Sequence, residues 1–258
     1  MDDPRSETRS GAQAVERAVA VLLAFETASG DLGVSEIAHA VGLSVSTTHR
    51  QIRALCRGGL LTQDPHTGRY QLGPAMAVLG RLAEERLGYG RALPALQELA
   101  AGTGESVNLA ILTGGDVLVV IDVPSRQPLR FDQSPGTRVP AHTSAMGKCL
   151  LAFSADVGAA VAALPHLDAA TARTITDRQR LQGELEAVRQ RGWALNDEER
   201  NAGVRAVAAP VMGAGRAIAA IAVQGPSARL PDNRLEEVAA RIGVAARTVS
   251  PLLAATSR

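Results

Sequence analysis

Apolar residues at the N-terminal end of the chain recur at the spacing of an α-helix. The first such stretch begins near Ala14, and steps of three and four residues place on one helix face Val15, Ala18, Val19, Leu22 and Phe25. Ser35 is a suitable N-cap for a short second helix, which Gly42 ends. Ser44 is a suitable N-cap for a third helix that reaches about Arg57. The pattern therefore predicts three consecutive helices.

Two short segments typical of strands follow the third helix. Residues 60–63 and 69–72 flank the turn 64–68, which contains a proline and a glycine and is typical of a β-hairpin. Pro74 then marks the start of a further helix over residues 75–87, because the first N–H groups of a helix are unpaired in any case. A hairpin and a fourth helix are thus predicted after the first three helices.

The rest of the chain mixes strands and helices. The predicted elements are strands 106–112 and 117–123 around Gly114-Gly115, helix 177–191, strands 205–212 and 217–224 around Gly213-Ala214-Gly215, and a final helix 231–255. A doubly wound parallel sheet would require strict alternation of strands and helices, which this order lacks. The pattern therefore favours an α+β fold.

The composition is that of an ordinary globular protein. Of 258 residues, 46% are hydrophobic and 21% charged, but only 2% are aromatic, so a core must consist of Ala, Val, Leu and Ile. No apolar run reaches the roughly 18 residues of a membrane helix, and the acidic N-terminus lacks the apolar stretch of a secretory signal. Two distant cysteines, Cys56 and Cys149, make no disulfide framework. We expect a cytoplasmic protein without membrane contact.

Residues 34–57 carry the main functional signal, because two helices joined at a glycine form the pattern of a helix-turn-helix. One side of the third helix is expected to pack inward, with Val45, Thr48, Ile52 and Leu55. The opposite side is free to meet a partner, with Ser46, Arg50, Arg53 and Arg57. Arginine can bind either phosphate or guanine with two hydrogen bonds. The net charge is only +1, yet four arginines and one aspartate lie between Leu43 and Leu72, which predicts a local basic patch.

The predicted hairpin would form a wing beside this helix. Residues near its tip, His66, Thr67 and Arg69, would touch the DNA backbone or the minor groove. The alternative from the residues alone is a small three-helix subdomain with a solvated arginine face, which is what most charged helix faces are.

Motifs along the chain resemble those of the isocitrate lyase regulator (IclR) family of bacterial transcription factors, over residues 14–252. The N-terminal motifs are 16–22 (ERAVAVL), 35–38 (SEIA), 41–44 (VGLS), 48–50 (THR), Leu55 and 68–73 (GRYQLG). The C-terminal motifs are 140–148 (PAHTSAMGK), 171–176 (TARTIT), 184–185 (EL), 191–193 (RGW), 197–199 (DEE), 203–205 (GVR), 208–211 (AAPV) and 225–226 (GP). So many matches in one order make the resemblance specific.

The resemblance implies a winged helix-turn-helix, a linker helix and a C-terminal GAF-like α/β domain that binds a small-molecule effector. The implied division is a disordered tail over 1–12, the DNA-binding domain over 13–74, the linker helix over 75–90 and the effector-binding and oligomerisation domain over 91–258. The implied partners are double-stranded operator DNA, a small metabolite, and further copies in a homodimer or a dimer of dimers. The residues expected to bind DNA are Ser44, Ser46, Thr47, Thr48, His49, Arg50, Arg53 and Arg69.

In the family, the effector pocket lies between the sheet and the loop and helix around residues 142–148. The pocket positions that carry over by motif are Ala145, Met146, Asn196, Ala206, Ala222 and Gln224. Members that bind small oxoacids have carboxylate, thiol and hydroxyl side chains where this chain has Asn196, Ala206 and Ala222. A buried carboxylate without donors is costly. We therefore expect a less acidic, more apolar effector held by Asn196 and Gln224, and tight binding of glyoxylate or pyruvate would contradict this.

Three features could instead indicate an enzyme. Gly147-Lys148 lacks the first glycine and the Ser or Thr of a phosphate-binding loop. Cys149 and His142 could be a nucleophile and its base, but Cys149 lies in an apolar helical stretch, where cysteine packs as a small hydrophobe. The acidic run 197–199 is expected to be a solvated turn, and the histidines lack metal-ligand spacing.

We therefore expect no catalytic residue, no metal site and no cofactor. The alternative function is a GAF-fold small-molecule sensor or a metabolic enzyme whose N-terminal helices serve oligomerisation. Salt-dependent binding to duplex DNA separates the two, because contacts to phosphates release counterions.

Overall fold

A computed structural model describes residues 4–26 and 28–254 of the chain, and the side chains of residues 11–26 and 28–253. Contacts divide the chain into two compact units, Met1–Glu84 and Glu85–Arg258. This division falls within residues 75–90, the region predicted to be the linker helix. The first unit has one buried apolar cluster and the second has two, so each unit contains a core of its own.

The first unit contains the helices and the hairpin that the sequence predicts. Its elements are α1 (Pro4–Leu23), α2 (Val34–Ala40), α3 (Val45–Arg57), β1 (Leu61–Gln63), β2 (Tyr70–Leu72) and α4 (Pro74–Leu87). The expected disordered tail is corrected for residues 4–12, which belong to α1, while residues 1–3 lie outside the described residues. These residues are mostly polar, so they give no hydrophobic periodicity from which a helix could be predicted.

The connection between α2 and α3 has the geometry of a tight helix-turn-helix. Gly42 has a φ of 64°, a conformation that glycine adopts without steric cost. Ser44 is the N-cap of α3, and its Oγ accepts a hydrogen bond from the N–H of Thr47 at 3.3 Å. Gly58 ends the helix. The predicted bounds of the third helix are therefore confirmed.

The start of α2 differs from the prediction of an N-cap at Ser35. The N-cap is Gly33, and α2 begins at Val34. The Gly33 N–H donates to Oε2 of Glu36 at 2.6 Å. A carboxylate in the first turn pairs one of the free N–H groups there and favours the positive end of the helix dipole, so Glu36 does what the sequence analysis assigned to Ser35.

One apolar cluster holds the first unit together. Its buried members are Val21, Ile37, Ile52, Leu55, Leu61 and Tyr70. The strand β2 also pairs with the loop before α2 through a bridge between Leu32 and Tyr70. Since α3 contributes Ile52 and Leu55 to this cluster, its inward face is fixed and the opposite face is left on the surface.

The second unit is built on a six-stranded antiparallel sheet. Its elements are α5 (Tyr89–Thr103), β3 (Ser106–Thr113), β4 (Asp116–Val123), β5 (Arg138–Pro140), α6 (Ala145–Ala152), α7 (Val157–Ala162), α8 (Arg178–Arg191), β6 (Ala194–Asp197), β7 (Val204–Gly213), β8 (Arg216–Pro226) and α9 (Asp232–Ala254). The strand order is β5-β4-β3-β8-β7-β6. Both predicted strand pairs and the final helix are present, and the α+β class is confirmed.

Helix α5 was not predicted. The sequence analysis ended the preceding helix at residues 88–90, but α5 begins at Tyr89, directly after Gly88 with its φ of 78°. Gly90 and Pro94 lie inside α5, and both are typical helix breakers. The apolar residues of α5 nevertheless recur at helical spacing and are buried, namely Ala92, Leu96 and Leu99. Tertiary burial of this face therefore outweighs the local preference.

Both faces of the sheet are covered by helices, and they differ in side-chain size. One face packs against α5 and α9 through large side chains that include Leu109, Ile221 and Val223. The other face packs against α6 and consists largely of small side chains, Ala110, Ala206, Ala208, Ala220 and Ala222. The alanines let α6 approach the sheet closely. On α6 itself, Gly147 lies against the backbone of Ala141, in the turn that precedes the helix, so closely that a Cβ atom would overlap the Ala141 carbonyl group.

Gly147→Ala should destabilise the protein by about 2 kcal/mol or more, because backbone atoms must shift to accept the new methyl group. Gly183→Ala is the matched control, since Gly183 is exposed within α8 and a Cβ there meets nothing within 4 Å. The control should stabilise the protein by about 0.5–1 kcal/mol through helix propensity. Urea unfolding of the two variants measures both effects, and equal midpoints would contradict the close contact between α6 and the backbone of Ala141.

Candidate DNA-binding surface and effector pocket

The outer face of α3 is exposed and basic. Ser46, His49, Arg50 and Arg53 are all exposed, at the three- and four-residue steps that define one helix face. Within the part of the chain that the structure describes, the guanidinium groups of Arg50, Arg53 and Arg57 form no ion pair or hydrogen bond. This face therefore has cations that no carboxylate of the described residues neutralises.

The N-terminal end of α3 is held by its own hydroxyl groups. Oγ of Ser44 donates to Oγ1 of Thr47 at 2.9 Å and lies 3.2 Å from Oγ of Ser46. Thr48, expected on the inward face but also named among the DNA-binding residues, is fully buried as its place on the inward face predicts, and its hydroxyl donates to the carbonyl oxygen of Ser44 at 3.0 Å. Val45, expected to pack inward, is instead 49% exposed. Val45 is the first residue of α3, directly after the N-cap Ser44.

Arg69 does not reach outward from the wing as expected. Its Nη2 lies 2.6 Å from Oε2 of Glu36, and its Nε and Nη2 donate to the carbonyl oxygen of Asp31 at 3.0 and 2.7 Å. Arg69 therefore ties the hairpin to the start of α2. The exposed tip residues of the hairpin that remain for a partner are His66 and Thr67.

In the second unit, one cavity gathers all six of the predicted effector residues: Ala145, Met146, Asn196, Ala206, Ala222 and Gln224. The cavity also has six lining residues that the sequence analysis did not name: Phe131, Gln133, Ser144, Arg200, Asn201 and Val204. Its volume of about 10 Å³ is close to what one water molecule needs. Any larger ligand must therefore displace lining side chains.

Strand register explains why distant residues meet here. Asn196 of β6 pairs with Ala206 of β7, which pairs with Gln224 of β8. Directly paired residues of a sheet share a face, so these three side chains form one row under α6. Ala145 and Met146 are the first residues of α6, which places that helix end above the row.

Arg200 gives the cavity a positive charge. Burial lowers the pKa of the Arg200 guanidinium, and no hydrogen bond or ion pair of this group occurs among the described residues. Oδ1 of Asn196 accepts from the N–H of Glu199 at 2.8 Å, so its amide NH₂ remains as a second donor. Arg200 is not among the residues predicted from sequence, although it lies in the turn that directly follows β6, the strand of the predicted residue Asn196.

The turn that bears Arg200 is held by contacts with Lys148, Thr171 and Thr174. Glu199, expected in a solvated turn, is buried and lies 2.5 Å from Nζ of Lys148, which is itself only 1% exposed. The hydroxyl of Thr174 donates to the carbonyl oxygen of Glu199 at 2.6 Å, and that of Thr171 donates to the carbonyl oxygen of Glu198 at 2.9 Å. The buried ion pair and the two threonines hold the turn, so the solvated-turn prediction is wrong.

The geometry gives little support to the enzyme alternative. Burial raises the pKa of the Cys149 thiol far above its ordinary value, which removes the thiolate that a nucleophile requires. Nε2 of His142 lies 3.0 Å from the carbonyl oxygen of Asp168 instead. Across the described residues, no three His, Cys, Asp or Glu side chains could together hold a metal ion, and no helix is both long and apolar enough to cross a membrane.

Comparison with protein families decides the assignment. Residues 89–251 match the model of the bacterial transcriptional regulator IclR C-terminal domain, and residues 14–65 match that of the IclR helix-turn-helix domain. The chain belongs to the IclR family. An IclR regulator binds DNA in a sequence-specific way and responds to a small molecule in its C-terminal domain, and the two sites described above lie in the two matched regions.

Relatives of known name agree with this assignment. The chain is 36% identical over 249 residues to the HTH-type transcriptional regulator BhcR of Paracoccus denitrificans, covering 95% of this chain and 88% of that protein. It is also 36% identical over 226 residues to the glycerol operon regulatory protein of Streptomyces griseus, covering 85% and 87%. The first relative is a transcriptional regulator by name, and the second is an operon regulatory protein by name.

Solved structures share the fold. An IclR transcriptional regulator from Alicyclobacillus acidocaldarius has a TM-score of 0.82 at 27% identity, covering 93% of this chain and 98% of that one. An IclR homologue from Microbacterium hydrocarbonoxydans, crystallised with 4-hydroxybenzoate, has a TM-score of 0.81 at 23% identity, covering 94% and 99%. The winged helix-turn-helix and the C-terminal α/β domain are therefore the family architecture.

Proposed function

We propose that this IclR regulator reads its operator with the exposed face of α3. Ser46, His49, Arg50 and Arg53 would enter the major groove, where arginine can grip guanine O6 and N7. Ser44 and Thr47 lie at the helix start, where hydroxyl and N–H groups suit a DNA phosphate. The observation that carries this proposal is the row of guanidinium groups without a partner among the described residues.

Arg50→Ala should weaken operator binding by about 1–3 kcal/mol if the side chain contacts a base. Arg216→Ala is the matched control, because Arg216 is an exposed arginine in the second unit and its removal changes the net charge equally. Fluorescence anisotropy with operator and scrambled duplexes, at two salt concentrations, separates base contacts from phosphate contacts. Unchanged operator affinity for Arg50→Ala would remove α3 from the proposal.

The regulator is proposed to work as a homodimer through α4 and α1. No residue of α4 is buried, although Val78 and Leu79 are large and apolar and each is 54% exposed. On α1, three exposed apolar residues recur at every fourth position: Val15, Val19 and Leu23. A helix of 14 residues is marginal in water without tertiary packing. A second copy that covers these faces would supply the packing.

The double variant Val78→Asp/Leu79→Asp should dissociate the dimer, because four charged groups per dimer would replace buried apolar area. Each lost side chain is worth roughly 1.5–3 kcal/mol when fully buried, so the dimer Kd should rise at least about a hundredfold. Sedimentation velocity measures this, with Leu129→Asp, an exposed loop residue, as control. A dimer that persists in the double variant would show that α4 is not the contact.

The effector is proposed to bind in the cavity with an anionic group at Arg200. A partly buried guanidinium without a partner among the described residues is costly, and a carboxylate would satisfy it with two charge-assisted hydrogen bonds. This replaces the expectation of a less acidic ligand, which considered six positions and found no cation. Phe131, Met146, Ala206 and Ala222 supply an apolar wall for the remainder of the ligand.

Arg200→Gln should weaken the binding of carboxylate ligands about ten- to a hundredfold, since it removes charge-assisted hydrogen bonds. 4-Hydroxybenzoate, which combines a carboxylate with an apolar ring, is a suitable first probe for isothermal titration. Arg200→Lys, which keeps the charge, should lose less affinity, and Arg216→Ala should lose none. If the methyl ester of the probe bound as tightly as the acid, the proposed anion site would be wrong.

The protein is proposed to act as a cytoplasmic regulator without catalytic activity. The named relatives are transcriptional regulators. The buried Cys149 thiol and the separate hydrogen bond of His142 offer no activated nucleophile. Operator DNA and a metabolite are therefore its expected partners.

A further inference from the structure

Next to Gln224 in the effector cavity, hydrogen-bonded polar side chains connect the three strands β4, β3 and β8. Asn108 of β3 pairs with Asp122 of β4 on one side and with Ala222 of β8 on the other, two residues from Gln224. These side chains share the face that packs under α6, which is otherwise lined by small apolar residues. Asn108 is fully buried and Gln224 is 4% exposed. Buried polar groups of this kind need defined partners.

The hydrogen bonds run in a fixed direction. Nδ2 of Asn108 donates to Oδ1 of Asp122 at 2.9 Å and lies 3.4 Å from the backbone carbonyl oxygen of Gln133. Nε2 of Gln224 donates to Oδ1 of Asn108 and lies 3.3 Å from Oε1 of Gln133. Oε1 of Gln224 accepts no hydrogen bond from the described residues.

The direction of these hydrogen bonds follows from which groups can donate a hydrogen bond and which can only accept one. An ionised carboxylate and a backbone carbonyl can only accept hydrogen bonds, so the NH₂ of Asn108 must face Asp122 and Gln133. Oδ1 of Asn108 then faces Gln224 and requires its NH₂. Both protons of that NH₂ are engaged, by Asn108 and by Gln133. Gln224 can therefore offer a ligand only its carbonyl oxygen.

We propose that Asp122 and Asn108 are positioning residues that lock the Gln224 amide with its oxygen toward the effector cavity, so that the pocket selects an anion bearing a hydrogen-bond donor. The preferred class is a carboxylate that also carries a hydroxyl or N–H group, over the oxo, ether or halogen analogue of equal size. This inference rests on the proposed effector function of the cavity. A ligand that presented only hydrogen-bond acceptors to Gln224 would place its acceptor atom against the Gln224 carbonyl oxygen, and the two buried atoms would repel each other.

The orientation of Gln224 is tested first without any ligand, by hydrogen exchange of side-chain amides in the ¹⁵N-labelled full chain. Gln224→Met identifies the resonance, and the exposed Gln182 is the internal reference. Burial raises the pKa of Asp122, the hydrogen bond from Asn108 lowers it, the Asp132 carboxylate raises it and Arg130 lowers it, with a net increase. The measurement therefore belongs at about pH 8, where the carboxylate is ionised. Both Gln224 amide protons should exchange at least tenfold more slowly than those of Gln182. Exchange as fast as in Gln182 would overturn the proposal.

Selectivity is tested next, by calorimetry with two matched pairs: 4-hydroxybenzoate against 4-fluorobenzoate, and lactate against pyruvate. The wild-type protein should bind the donor-bearing member of a pair about tenfold more tightly, the value of one hydrogen bond of about 1.4 kcal/mol. In Asn108→Leu, and more weakly in Asp122→Asn, this ratio should fall toward one while the affinity for the other member stays within about twofold. A merely structural role would weaken both members equally.

The outcomes distinguish a failure of the proposed Gln224 orientation from a failure of the proposed anion site. Equal binding of both members by the wild-type protein, or an unchanged ratio in Asn108→Leu, would overturn the role of Asp122 and Asn108. If no carboxylate of either pair binds, the anion class of the proposed function loses its support, and the exchange experiment alone then decides the orientation of Gln224.

Discussion

The close approach of α6 to the sheet is the constraint on which the second unit depends. Alanines on the facing strands remove the side-chain volume that would hold the two apart, and Gly147 lets the backbone of Ala141, in the turn just before α6, lie against the helix. Protein interiors are packed as densely as organic crystals, so an added methyl group at this contact would have to displace neighbouring atoms. The same approach buries Lys148, which must then pair with Glu199. The turn that carries Arg200 into the cavity is fixed by this pair.

Arginines in the structure fall into two groups. Arg69, Arg205 and Arg229 are tied to carboxylates of the protein and hold loops or elements together. Arg50 and Arg200 have no such partner among the described residues. In a chain whose net charge is only +1, arginines without a carboxylate partner are available to anions from outside. Arg53 and Arg57 share this property with Arg50 on the outer face of α3, whereas Arg200 is half-buried and lines the cavity; these are the places where we propose that phosphates and a carboxylate bind.

An effector can change DNA binding only if it binds the two states of the regulator with different affinity. The cavity volume of about 10 Å³ means that ligand entry itself moves side chains, and Phe131 lies on a loop rather than on a strand. Helix α4 is the covalent connection between the units. An exposed apolar surface on such a helix is suited to subunit contacts that differ between two states.

The sequence by itself determined the helix-turn-helix, the hairpin, the strand pairs and the six cavity positions, because periodicity, caps, turn residues and motif matches are local signals. It placed Thr48 both on the inward face of α3 and among the DNA-binding residues, Arg69 outward and Glu199 in solvent. Only the tertiary structure determined the environments of these three side chains, because each depends on burial or on a partner distant in the sequence. Arg200 and the chain from Asp122 to Gln224 likewise required the fold: strand register brings together residues more than a hundred positions apart, and no local pattern encodes register between distant strands.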